Sequence, residues 1–324
     1  MQLVKEPAKL TFRKDEFEIS YHSYFCSDSG EHFTTDELDI INTTQVHNMY
    51  RVKYGIPFPE EIRQIRDQYG ISAAKMSEIL GFGTNSYRLY ESGEIPSVAN
   101  GRLILAVKHP KDFIKQVHAS LHLLSEKETT SIIESAEQAL GETRRKAFEY
   151  HMRKLVFRHD YPSEFTGYRI PSFDKIANVI SFFGNQDKNL FKTKLNKLLF
   201  YADFKHFKKT GFSITGLCYK AIPFGTVPEE YDMLYVKLAD DEKIQINETV
   251  VGEIYCEKLD GLQPFDESLF DQKELDVLDE VIQQFKNMST KEVVDQNHNE
   301  AAWKENVDSR EKISYQRYAF NLLN

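Results

Sequence analysis

The chain has 324 residues, a formal net charge of −9, 41% hydrophobic and 28% charged side chains. That length calls for two or three domains, and that balance for folded modules in place of disorder. No apolar run reaches the roughly 18–20 residues of a membrane span, and the N-terminal MQLVKEPAKLTF lacks the apolar core and cleavage site of a secretion signal, so the cytosol is the expected compartment.

Three cysteines, Cys26, Cys218 and Cys256, stand far apart with no CxxC pair. This pattern supports neither a disulfide framework nor a zinc knuckle, so reduced structural thiols are expected, with no cofactor and no metal. Charge is unevenly spread. Residues 51–118 carry ten Lys/Arg against seven Asp/Glu, whereas residues 237–312 carry nine against twenty. Such asymmetry assigns different partners to different parts.

In chain order, FEISYHSYF alternates as a strand with Phe17, Ile19, Tyr21 and Ser23 on one face, then turns at Asp28–Gly30 and returns from Phe33. Thr35 is the expected N-cap of a helix that closes at Gly55. A dense helical block follows over 57–118. Pro59 opens its first helix, with Ile62, Ile65 and Arg66, and Gly70 ends it. Ser72 caps the second, whose Met76, Ile79 and Leu80 form the buried stripe, and Gly81 stops it. Thr84 is expected to cap the third, Gly93 to end it, and Pro96–Ser97 to start the fourth, with PKDFIKQVHASLHLL as a fifth. Residues 119–160 read as a connecting or dimerisation helix, and Asp160–Ser172 as a linker with two prolines and a glycine. Two amphipathic helices restart at Phe173, the second with Leu195, Leu198, Leu199 and Ala202 inward and Gly211 at its end. Strand-formers around IPFGTVPEEY, the alternating IQINETVVGEIYCEKL and three further helical stretches complete the chain. The expected fold is α+β and mostly helical, in four parts: a β-hairpin and helix over 1–56, a five-helix domain over 57–118, a connector over 119–171 and a mainly helical domain with short strands over 172–324.

A helix–turn–helix needs two short helices, a glycine turn and a polar face on the second helix, and Ser72–Leu80, Gly81–Gly83 and Thr84–Ser92 supply these in order. The reading helix then offers Thr84, Asn85 for adenine, Ser86 for several bases, Tyr87 for a sugar or thymine methyl, and Arg88 for guanine or phosphate, with Lys75 on the backbone. Leu89 and Ile95 read as core. A solvated face on a plain helical bundle is the competing reading of the same residues. The run SAAKMSEILGFGTNSYRLYESGEIPS resembles the Xre/Cro-type repressors, and is most similar to the DNA-binding domain of the MqsA-type antitoxins. That resemblance implies operator DNA as a ligand, a two-fold homodimer, a structural role for Glu91, and an N-terminal zinc module whose ligands are lost here, since Cys26 stands alone between His22 and His32.

Further on, KLLFYAD, TG then ITG, the turn AIPFGTVPEEY and the late HNEAAW resemble the Panacea, or SocA-like, antitoxin domain over about residues 172–320. The family often has proline where this chain has Thr226, which implies a less rigid loop. Asp203, His206, Cys218, Glu229, His298 and Glu300 are groups an enzyme would use, but no phosphate loop, paired-carboxylate spacing or nucleophile elbow accompanies them. Binding is the better reading. The turn is stiffened by proline, and Tyr201, Phe204, Tyr219, Phe224, Gly225 and Tyr231 are the candidate toxin-contacting residues, some of the aromatics being core by default. The resemblances imply a non-enzymatic antitoxin of a toxin–antitoxin pair that neutralises a protein toxin and represses its own operon. The alternative is a transcription regulator whose C-terminal domain senses a ligand or adapts a client for proteolysis.

Overall fold

The computed structural model describes residues 1–159, 161–188, 190–251 and 254–323, so Asp160, the first residue of the expected linker, lies outside the described residues. The chain is α+β and mostly helical. Strands β1 (Gln2–Phe12), β2 (Asp15–Phe25) and β3 (His32–Phe33) form one sheet in that order, with Tyr24 opposite Phe33. On β2 the alternation holds at Phe17 and Ile19, which are buried, and then lapses: Tyr21 is only half-buried, while His22 and Ser23 are both buried. Helix α1 (Asp36–Tyr54) starts where the Thr35 hydroxyl accepts the Leu38 N–H.

Next come α2 (Pro59–Asp67), α3 (Ala73–Ile79), α4 (Ser86–Glu91), α5 (Val98–Ala106), α6 (Pro110–Ala119) and the long α7 (Glu126–Phe157). The fifth helix of the block therefore stops at Ala119, and a short 3₁₀ turn over Leu121–Leu123 separates it from α7. Then follow α8 (Phe173–Gln186), α9 (Lys192–Thr210), the hairpin β4 (Tyr219–Ile222) and β5 (Gly225–Pro228), α10 (Tyr231–Asp240), and the hairpin β6 (Ile244–Val251) and β7 (Ile254–Gly261). Helices α11 (Gln272–Phe285), α12 (Thr290–Asn297), α13 (Ala301–Lys304) and α14 (Tyr315–Tyr318) end the chain.

These elements gather into two compact units. One holds residues 10–17 and 46–152; the other holds 1–9, 18–45 and 153–324. The module expected at 1–56 is thus divided between them. In the smaller unit, Ile62, Ile65, Met76, Ile79, Tyr87 and Phe113 close a core between α2, α3, α4 and α6. In the larger one, α9 is buried on every side, as a helix at the centre of a domain must be. Leu195, Leu198, Leu199, Phe204 and Phe207 are fully buried on it, each worth roughly 1.5–3 kcal/mol. Its buried Asp203 organises the loop after α9, accepting from the Ile214 and Thr215 N–H groups (2.8 and 2.7 Å), the Thr215 hydroxyl and the Tyr219 hydroxyl.

Candidate functional site

The β4–β5 hairpin carries the most organised surface feature of the larger unit. Ile222 pairs with Gly225, which leaves Pro223 and Phe224 as a two-residue turn. Gly225 has a φ of 97°, and a Cβ there would lie 2.4 Å from Lys197 Cε and 2.6 Å from Asn297 Oδ1. Only glycine fits, for two independent reasons. Four contacts then fix the turn. Trp303 Nε1 donates to the Ile222 carbonyl (2.8 Å), and Lys197 Nζ donates to the Thr226 carbonyl (2.9 Å). The Thr226 N–H donates to Asn297 Oδ1 (2.7 Å), while Asn297 Nδ2 donates back to the Thr226 hydroxyl (2.9 Å). His298 stacks on Trp303 with ring centroids 3.9 Å apart.

Phe224, at the tip of this braced turn, is 70% exposed. A large aromatic on a braced backbone loses little backbone entropy on binding, which is what a contact anchor requires. Lys197 is fully buried, and burial lowers its ammonium to about 7.

The six residues expected to contact a toxin separate on this geometry. Phe224 is exposed and Gly225 lies buried beside it; Tyr231, half-buried, begins α10. Tyr201, Phe204 and Tyr219 are corrected to core, all three being fully buried. Tyr201 donates to Glu300 Oε1 (3.2 Å), Phe204 stacks between Phe200 and Tyr315 (4.1 and 4.2 Å), and the Tyr219 hydroxyl donates to Asp203 (2.8 Å). The loosening expected of Thr226 is also corrected: its N–H, which proline would lack, is part of the brace. Sequence reasoning passed over Lys197 and Asn297, although both lie in or beside the quoted KLLFYAD and HNEAAW runs. A lysine inside a helix reads as solvated until its burial is seen.

Of the groups an enzyme would use, Asp203, His206 and Glu300 are hydrogen-bonded within the fold. Asp203 is committed to its loop, and burial raises its carboxyl. His206 donates from Nδ1 to the Phe212 carbonyl (2.7 Å), and burial lowers it to about 4. Burial pushes the Cys218 thiol up to about 12, the reverse of what a nucleophile needs. Glu300 accepts the Leu323 N–H (3.0 Å) as well as the Tyr201 hydroxyl. A cleft of about 430 Å³ beside α8 and α11, lined by Phe182, Asn185, Phe265, Gln272 and Asp279 among others, contains none of these groups.

In the smaller unit, the Ser72 hydroxyl accepts the Lys75 N–H (3.1 Å) and Gly81 takes a φ of 68°, so α3 starts and stops where expected. The Ser77 hydroxyl accepts the Tyr87 N–H (3.0 Å), fastening α4 to α3. Glu91 binds Arg66 through two contacts of 2.6 and 3.2 Å, a structural pair. Thr84, Asn85 and Arg88 are exposed and Ser86 half-buried. Four expectations are corrected. Tyr87 is fully buried and its hydroxyl donates to the Ile62 carbonyl (2.8 Å), so it presents nothing to a ligand. Thr84 is no cap: α4 begins at Ser86 after Asn85, which makes no side-chain cap bond. Lys75 is held by Glu78 (2.6 Å) and Glu128 (2.9 Å) in place of standing free for phosphate. Leu89, read as core, is 42% exposed, whereas Ile95 is buried.

The larger unit thus presents a hairpin braced from α9, α12 and α13 and tipped by an exposed aromatic. In comparison with known proteins, residues 195–304 match the family model described as antitoxin SocA-like, Panacea domain, a span of about a third of the chain that runs from α9 to α13 and includes the hairpin. No curated protein and no solved structure matches the chain.

Proposed function

We propose that this chain is the antitoxin of a toxin–antitoxin pair. Its larger unit binds and masks a protein toxin, and the α3–α4 pair binds operator DNA, as a homodimer, to control expression of both genes. The observation that carries the toxin-binding reading is Phe224, an exposed aromatic on a turn braced from α9, α12 and α13 inside the family-matched span. Inhibition by steric masking needs no chemistry on the toxin. The acidic surplus over 237–312 suits a basic toxin, for which opposite charge speeds encounter. For the DNA reading, exposed Asn85 and Arg88 at the start of α4 supply the adenine and guanine pairings of a reading helix.

The test is co-expression of the full chain with the open reading frame beside its gene, scoring growth and co-purification. Rescue together with a complex that Phe224→Ala weakens at least about tenfold supports the reading, since hot-spot truncation costs more than about 1.4 kcal/mol. Asn85→Ala with Arg88→Ala should retain rescue yet lose retardation of the promoter fragment. A harmless neighbour that forms no complex overturns the antitoxin reading.

A further inference from the structure

At the end of the β4–β5 hairpin away from Phe224, Cys218 and Glu229 sit one pair beyond the Tyr219–Pro228 register, joined by a 2.7 Å bond from the Glu229 N–H to the Cys218 carbonyl. Facing residues of an antiparallel pair hold their Cβ atoms roughly 4.5–5.5 Å apart. Arg158, with a φ of 54°, ends α7, and His159 follows it. The imidazole, thiol and carboxylate of His159, Cys218 and Glu229 each bring a ligand atom within 4.8 Å of the other two, and Cys218 is a free, buried thiol. Lys312 Nζ stands 2.9 Å from His159 Nε2 and 3.5 Å from Glu229 Oε2, so the space before the imidazole and the carboxylate already draws a cation.

We propose that His159, Cys218 and Glu229 bind one divalent transition-metal ion, with zinc as the ion that fits. The donor set is one nitrogen, one sulfur and one oxygen, the ligand types zinc takes in tetrahedral sites, and the thiolate selects against magnesium and calcium. Three donors leave a fourth position open to water or to a partner's side chain. The lysine competes for this space but can leave it. The Lys312 side chain is 37% exposed, and its ammonium reaches water by rotating on its flexible stem while the metal takes its place. Binding replaces the S–H bond of Cys218 with an S–metal bond and releases that proton to solvent; no electron moves. The second titratable cluster, His206 with Asp271 and Glu274, is a poorer host, because Lys175 bonds both Glu274 oxygens (2.7 and 2.8 Å) deep in the fold. An ion at the first cluster would tie the end of α7 to the base of the hairpin and stabilise the larger unit. The inference is independent of the toxin-binding reading.

The experiment is to strip the full chain with a chelator and titrate it with cobalt(II), a spectroscopic stand-in for zinc. The expected result is one cobalt per chain with a near-ultraviolet thiolate-to-cobalt band, displaced by zinc. Cys218→Ser removes the band, whereas Cys26→Ser and Cys256→Ser keep it. His159→Ala and Glu229→Gln each weaken binding at least about tenfold, the lower end of the loss seen when even outer-sphere partners of a metal are removed. Lys312→Met leaves every ligand in place and tightens binding by removing the competing cation, so it keeps the test decisive if Cys218→Ser does not fold. A folded full chain with no thiolate–cobalt band, a band that survives Cys218→Ser, or an affinity that Lys312→Met leaves unchanged overturns the site.

Discussion

At the residue scale, the larger unit is governed by polar groups taken out of water. Lys197 donates to the Thr226 carbonyl inside the fold, and its pKa lies near 7 in place of 10.5 because burial disfavours the charge. Below pH 7 the folded and unfolded chains both hold the proton, and the folded one bears the full cost of a buried ammonium. From about pH 7 to 10.5 only the unfolded chain keeps it, so stability rises with pH by up to about 1.4 kcal/mol per unit from this group. Lys197→Met should lose that rise, measured as the difference between the two proteins in urea unfolding at pH 7, 8 and 9. His206 acts in a more acidic window. Its folded imidazole stays neutral down to about pH 4 while the unfolded one charges near 6.5, so stability falls as pH drops between those values. His206→Asn should flatten this acid limb in the same assay. At the hairpin tip, Gly225→Ala forces a Cβ against Lys197 and Asn297 at a φ of 97°, and should cost about 2 kcal/mol or more. Phe224→Ala, one residue away and exposed, should change stability by less than about 0.5 kcal/mol. The pair is a clean contrast, because any loss of binding in Phe224→Ala then belongs to the surface and not to the fold. That contrast was not legible in the sequence, where both residues belong to one turn motif.

At the element scale, helix starts and stops were read with most success where one local group decides them. The Ser72 hydroxyl meets the Lys75 N–H, and Gly211 takes a φ of 78° to end α9. Ser72→Ala should therefore cost about 1 kcal/mol in thermal unfolding. Helix α4 is different. With six residues it has little stability of its own and is held by tertiary contacts: the Tyr87 N–H on Ser77, the Tyr87 ring in the core, and Glu91 on Arg66. Its N-cap falls at Asn85, one residue after the Thr84 expected from capping chemistry. Its exposed Asn85 and Arg88 should tolerate alanine within about 0.5 kcal/mol, while the proposed operator affinity falls, as fluorescence anisotropy at two salt concentrations would record. Strand β1 escaped sequence reading because its charged, weakly alternating residues and Pro7 argue against a strand; as an edge strand it tolerates a missing N–H.

At the scale of the whole molecule, neither compact unit is a single continuous stretch of chain. Residues 1–9 and 18–45 share a compact unit with residues 153–324. Lys5 donates to the Phe320 carbonyl (2.6 Å), the His22 ring lies 4.9 Å from that of Phe320, and Gln316 donates to Gln45 (2.7 Å). A chain beginning at residue 153 should lose at least about 2 kcal/mol through these contacts, lowering its Tm by about 4–8 °C relative to the full chain. Calorimetry of the two proteins checks it, and an unchanged Tm would show that the N-terminal strands contribute nothing to the larger unit.

What the sequence determined by itself was whatever depends on neighbours within a few residues. Helical periodicity, the Ser72 cap, the Gly81 and Gly211 stops, the alternation of Phe17 and Ile19, and the resemblance over the Panacea-like span all rest on local chemistry or on short motifs. Only the tertiary structure decided which aromatics are core and which is surface, that Tyr87 faces inward and Phe224 outward, that Lys197 is buried, and that His159, Cys218 and Glu229 meet. These follow from contacts between positions tens of residues apart. Such contacts form only when burial of the whole core outweighs chain entropy, and no local pattern encodes which distant partner a side chain finds.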